Sequence, residues 1–186
     1  MEAFFREASR WKHICIVGHA ELLEHISGYT SEVAAVAHQL SSLYLHSTAW
    51  FPVKCTFSIG SSDASLPSPS HLSLTNIAIE INSFDLSRLT SLRLPPITVT
   101  KIIHIFTRAS SLNKLTTGIA PPELAESSSF QDWDSPFQHT SLKILDLEVN
   151  FLGVVGQGPF CRLTLPSLES LSCSIGGMKL SILQNF

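Results

Sequence analysis

The chain has 186 residues, 44% of them apolar and 15% charged, with a formal net charge of −3. That is ample apolar material for one folded unit with its own core, and the acidic balance gives no electrostatic reason to expect nucleic acid as a partner. No run reaches the roughly 18 apolar residues that a membrane span requires, and Glu2, Arg6, Glu7 and Arg10 interrupt any signal peptide. Cys15, Cys55, Cys161 and Cys173 are scattered without close pairing, which suits a reducing compartment. The expectation is an intracellular protein, cytoplasmic or nuclear, with no membrane or nucleic-acid partner.

One pattern, apolar-x-x-apolar-x-apolar, recurs in chain order. It reads Trp11-Ile14-Ile16, Leu40-Leu43-Leu45, Pro69-Leu72-Leu74, Leu89-Leu92-Leu94, Leu112-Leu115-Thr117, Leu142-Leu145-Leu147 and Leu168-Leu171-Cys173. The starts are spaced by 29, 29, 20, 23, 30 and 26 residues. These steps lie in or just above the roughly 20–29-residue period of leucine-rich repeats. The sixth copy carries the longer consensus Leu142-x-x-Leu145-x-Leu147-x-x-Asn150-x-Leu152 and is the only one with Asn in the ninth slot.

Numbering slots from each first apolar residue, side chains on a short strand alternate, so slots four and six point one way and slots three, five and seven the other. Slot one tucks inward where the chain turns into the strand. A repeat cannot bury its own apolar strip; stacking neighbours in parallel buries all the strips together. The expected fold class is therefore α/β, an irregular leucine-rich-repeat solenoid: an arc of short parallel strands with helices and loops on the convex side.

Between the strands, Ala20 to Ile26 reads as a short helix ending near Gly28. From Ser31 to Leu40, Val33, Val36, Ala37 and Leu40 recur at helical spacing, and Ser31 can cap the start. The twenty-residue step from Pro69 to Leu89 leaves no room for a full helix; Ile77, Ile79 and Ile81 alternate there as extended chain, and the repeat register is open. Val99, Ile102, Ile103 and Phe106 predict a helix over Thr98 to Ala109, after Pro95-Pro96 stops the strand. Ser58 to Ser70 and Glu126 to Thr140 read as surface loops, the second with Phe130, Trp133 and Phe137 packing back on the scaffold. Gly153-Val-Val-Gly156-Gln-Gly158 is followed by Pro159-Phe160 with no helix pattern, so it reads as a turn rather than a phosphate loop. Leu180, Ile182, Leu183 and Phe186 predict a final convex helix. The whole, residues 1–186, is expected to be a single leucine-rich-repeat-like domain, a partial solenoid with uncapped ends.

Catalytic patterns are missing: no Gly-x-Ser-x-Gly, no Walker loop, no His-Glu-x-x-His. The eight histidines read as surface residues, since His13 and His71 fall in slot three and His46 in slot seven on different rungs, with no Cys or carboxylate completing a tetrahedral set. The chain is expected not to be an enzyme and to hold no metal or cofactor. A ligand surface would be the concave side. Slot five reads Cys15, Tyr44, Ser73, Arg93, Thr116, Asp146 and Ser172, with His46, His71, Lys114 and Glu148 in flanking slots. Tyr44, His46, His71, Arg93, Lys114, Asp146 and Glu148 are the candidate partner-binding residues, with Tyr44 and Arg93 as anchors by residue type. Charge along the chain is uneven: five basic residues (Arg88, Arg93, Lys101, Arg108, Lys114) and no acid from Leu86 to Ala120, then six acids (Glu123, Glu126, Asp132, Asp134, Asp146, Glu148) against Lys143 from Pro121 to Asn150.

The segment Ser9-Arg10-Trp11-Lys12-His13-Ile14, with Leu40-x-x-Leu43-x-Leu45 and Leu165-Pro166-Ser167-Leu168-Glu169-Ser170-Leu171, resembles the repeat region of F-box and leucine-rich-repeat proteins of mushroom-forming fungi. The likeness covers most of residues 5 to 186. It implies a substrate receptor, in which an F-box docks on the Skp adaptor of a cullin–RING ubiquitin ligase and the repeats choose the target. Nothing before Phe5 forms an F-box, so the adaptor contact would need one upstream and is carried to no residue here. The expected function is a non-catalytic protein-interaction scaffold like that recognition half, for an unknown protein target; the alternative is a truncated or decayed paralogue with no specific ligand.

Overall fold

In all seven repeats a strand begins two residues after the first slot. A computed structural model describes residues 7–27, 39–49, 53–54, 69–78, 85–120, 137–149, 163–175 and 178–183. The elements in chain order are a 3-10 turn (Ala8–Arg10), β1 (His13–Gly18), α1 (Ala20–Ser27), β2 (Ser42–Ser47), β3 (Val53–Lys54), β4 (His71–Thr75), β5 (Ile77–Ala78), β6 (Ser91–Arg93), α2 (Val99–Arg108), β7 (Lys114–Ile119), β8 (Phe137–Gln138), β9 (Ile144–Val149), β10 (Leu163–Thr164), β11 (Ser170–Ile175) and β12 (Met178–Leu183). The class is α/β with mostly parallel strands. The chain divides into two compact units, Met1–Pro95 and Pro96–Phe186.

In the first unit β1, β2, β4 and β6 pair in parallel, each with the strand of the next repeat. The register joins equal slots: Ile14 faces Leu43, Leu43 faces Leu72 and Leu72 faces Leu92, while Ile16, Leu45 and Leu74 line up beside them. All of these are buried except the half-buried Ile16, and Leu40 and Leu89 of slot one are buried with them. Each fully covered Leu or Ile contributes roughly 1.5–3 kcal/mol, which is what holds neighbouring repeats together. The short helix α1 adds Leu23 and Ile26 to this core and leaves Glu21, Glu24 and His25 exposed.

Slot two makes a second set of inter-repeat bonds. The Ser41 hydroxyl donates to the Lys12 carbonyl (2.8 Å), Ser70 to Ser41 (3.0 Å) and Thr90 to Ser70 (3.0 Å). The same carbonyls accept the backbone amides that open the next strand. The step from Pro69 to Leu89 therefore keeps the register, and Ile77 is extended as expected, in β5, which pairs with β3. Between β4 and β5 Asn76 takes a left-handed conformation (φ 55°), a region an Asn tolerates, and its side-chain amide donates to the Ser47 and Ala49 carbonyls at 3.4 and 3.5 Å.

In the second unit β7, β9 and β11 are parallel and again in equal slots: Leu115 faces Leu145 and Leu145 faces Leu171, with Thr117, Leu147 and Cys173 alongside. The helix over Val99–Arg108 forms as its spacing predicts. Thr98 precedes it in an extended conformation, and Val99, Ile102, Ile103, Ile105 and Phe106 are buried. Upstream, Ile97 bridges Ile119, which lays Pro96 over Gly118. A Cβ on Gly118 would lie 2.7 Å from Pro96 Cγ, so this slot admits no side chain without a shift.

Two expectations are corrected. The final helix expected over Leu180–Phe186 is not formed by the described part: Met178–Leu183 is a strand, antiparallel to β11, with Ile182 facing Leu171 and Leu180 facing Cys173. Leu180 and Ile182 alternate, and Gly176-Gly177, the two residues between the strands, is a sequence that two-residue hairpin connections favour. The histidines are not all surface residues either. His139 is 3% exposed, in the loop expected to lie on the surface. Its Nε2 donates to the Ala109 carbonyl (3.0 Å) and its Nδ1 accepts the Leu142 amide (3.2 Å), so the ring ties the end of α2 to the first slot of the next repeat. Phe137 packs back as expected, stacked on Phe106 with centroids 6.4 Å apart, and Phe106 also meets the His139 ring at 5.2 Å. The helix expected at Ser31–Leu40 (all but its last two residues), Ile79, Ile81, Phe130, Trp133, Asn150 and the Gly153–Gly158 turn lie outside the described residues.

Candidate functional site

Parallel pairing in equal slots turns the outward side chains into columns. In the first unit slot five runs Cys15, Tyr44, Ser73, Arg93, slot three runs His13, Ser42, His71, Ser91, and slot seven runs Val17, His46, Thr75. Adjacent strands lie about 4.8 Å apart, so neighbours in a column are in reach of one ligand. Four of the seven candidate residues, Tyr44, His46, His71 and Arg93, share this face. Tyr44, Arg93 and His71 are exposed and His46 is half-buried.

The other three fall on the outward side of the second unit. There Lys114 faces Ile144, Thr116 faces Asp146 and Gly118 faces Glu148. Lys114 and Glu148 are exposed and Asp146 is half-buried, with Ser172 and Ser174 beside the two acids on β11. This face is acidic where the first is cationic, so the candidates form two groups of different chemistry.

Not every outward slot is open. Ser42 is buried, a short side chain between the His13 and His71 positions of its two neighbours, and Gly118 is covered by Pro96. Conversely, the first unit exposes an apolar group that the candidate set omits: Val17 is 58% exposed, on the strand beside Tyr44 at 45%. The signal was a β-branched residue in an outward slot of the first repeat. His13 and His71 are hydrogen-bonded at Nδ1, to Ser41 Oγ at 3.5 Å and Ser70 Oγ at 2.8 Å, and stand on alternate strands. Among the described residues no group of three or more His, Cys, Asp or Glu is placed to hold a metal ion.

At the slot-two margin of the second unit, Lys143 and Glu169 form an ion pair at 2.8 Å. The hydrogen bond that Lys143 donates to the Glu169 carboxylate, and then the carboxylate's charge, hold the Lys143 ammonium above the ordinary lysine range. It occupies the position that hydroxyls fill in the first unit, and no other acid or base in this margin is as closely matched among the described residues.

Among the described residues no helix is long and apolar enough to cross a membrane. What these columns define is an α/β protein presenting one side of its parallel strands. No family model, curated protein or solved structure matches the chain, so its function is read from this geometry.

Proposed function

We propose that the chain is a non-catalytic protein-interaction scaffold of the leucine-rich-repeat kind, resembling the target-recognition repeats of an F-box protein. In this reading the strands form an irregular solenoid whose outward columns are the concave, ligand-facing side. One observation carries it: in the first unit consecutive repeats pair in parallel and slot for slot, burying slots four and six apart from the half-buried Ile16 and leaving Tyr44, His71 and Arg93 exposed on the opposite side. Such a face has the aromatic and guanidinium groups that anchor protein interfaces, ringed by smaller polar groups. A ubiquitin-ligase role follows from the resemblance alone and would require an adaptor-binding segment joined to these repeats.

Affinity capture with the intact chain, Tyr44→Ala/Arg93→Ala and a control, Glu21→Ala on the exposed side of α1, tests the assignment. Specific partners should be retained by the intact chain and the control and lost with the double variant. Retention of the same partners by the double variant would place recognition elsewhere.

A further inference from the structure

The outward face of the first unit has a composition that narrows what it can recognise. Its described slots carry three imidazoles (His13, His46, His71), one guanidinium (Arg93) and no carboxylate. Arg93 is exposed and makes no ion pair or hydrogen bond among the described residues. Val17 and Tyr44 are the large apolar groups most open on this side. In the slot-five column Tyr44 pairs with Ser73 and Ser73 with Arg93, so an exposed ring and an exposed cation stand two strands apart with only a small hydroxyl between them.

Two strand spacings are about 9.6 Å. A polyproline II segment rises about 3.1 Å per residue with three residues per turn, which puts side chains three positions apart on the same side at about 9.3 Å. A fully extended peptide would not serve, since residues three apart on a strand point to opposite faces. We propose that this face binds an acidic, proline-rich peptide segment lying across the strands, with an apolar residue packed on Tyr44 and a Glu or Asp three positions away on Arg93. The proposal rests on the reading above that the outward columns are a recognition surface. The guanidinium and carboxylate form a charge-assisted, two-pronged hydrogen bond, and His46 and His71 offer further ring nitrogens on either side of the path. A basic peptide would meet only like charge and find no carboxylate partner here.

The test is fluorescence anisotropy of the full chain with labelled peptides built on a proline host: Leu-Pro-Pro-Glu, its reverse Glu-Pro-Pro-Leu, the Gln and Lys replacements of Glu, and a version with one more proline between Leu and Glu. The expected result is binding of one Glu orientation, weakened about tenfold or more by Gln, by the extra proline and by Arg93→Ala. Arg93→Glu should reverse the preference, so that the Lys peptide binds better than the Glu peptide. Circular dichroism melts of each variant confirm that it is folded, which the exposure of Arg93 leads one to expect. Equal binding of Glu and Gln peptides, a preference that survives Arg93→Glu, or no binding of any acidic peptide would overturn the proposal. Binding of Gln or Lys peptides that is lost in Tyr44→Ala overturns acid recognition while leaving the face as a recognition surface. Loss of that wider reading shows instead in the capture experiment, as partners indifferent to both anchors.

Discussion

At the scale of single residues, His139 does the most for the least exposure. Both ring nitrogens are engaged with backbone groups, one at the end of α2 and one at the start of the next repeat, and Phe106 lies against the ring. An apolar replacement of similar size keeps the packing but leaves the buried Leu142 amide without its acceptor, while the Ala109 carbonyl keeps the Leu112 amide at 2.9 Å. A buried orphan costs about 1–3 kcal/mol, so His139→Leu should lower stability by about that much in urea unfolding, with Phe106 still buried. The Lys143–Glu169 pair is the opposite case, since both side chains are more than half exposed and such pairs contribute little. Its pH dependence has a definite sign. Because Lys143 is held above 10.5 in the folded chain, whatever the pair adds is whole below that pH, declines as the pH rises from there and is gone once the pH has passed the folded value. The difference in melting temperature between the chain and Lys143→Ala should therefore stay flat from roughly pH 6 to 9 and shrink beyond pH 10.5.

At the scale of the element, neighbouring residues on β2 have opposite roles. Leu45 is 2% exposed between Ile16 and Leu74, whereas Tyr44 is 45% exposed one residue away. Leu45→Ala should cost about 2–5 kcal/mol, and Tyr44→Ala should stay within about 0.5 kcal/mol, both read by chemical denaturation. A comparable loss in both would mean that Tyr44 is covered. The alternation that separates them was legible in the sequence, because a period of two is written directly into Leu43-Tyr44-Leu45-His46. The same holds for the start of every repeat strand and for the amphipathic stripe of α2. What was not legible depends on partners distant in sequence. Nothing local to His139 announces that Ala109, thirty residues earlier, will supply its acceptor. Leu180, Ile182 and Leu183 fit both a helical stripe and an alternating strand, and pairing with β11 decided it. The hydroxyls of Ser41, Ser70 and Thr90 did share one slot, and that column could have been read; a serine-rich chain hid it among similar residues.

At the scale of the whole molecule, the testable property is how far a perturbation travels. Each repeat strand within a unit pairs with the strands of the adjacent repeats. In an array built that way, stability is close to a sum of repeat and nearest-neighbour contributions, and a local loss need not propagate. A closed core would behave otherwise, since every element leans on every other and opening is global. Hydrogen exchange separates these cases. Leu45→Ala removes apolar contact from β2, so amides of β1, β2 and β4 should exchange faster, by about tenfold for each 1.4 kcal/mol lost, while those of β9 and β11 keep their protection. The reciprocal variant, Leu145→Ala on β9, should raise exchange in β7, β9 and β11 and spare β1 and β2. Uniform acceleration along the chain in either variant would show one cooperative body, and the solenoid reading, with the recognition surface built on it, would have to be given up.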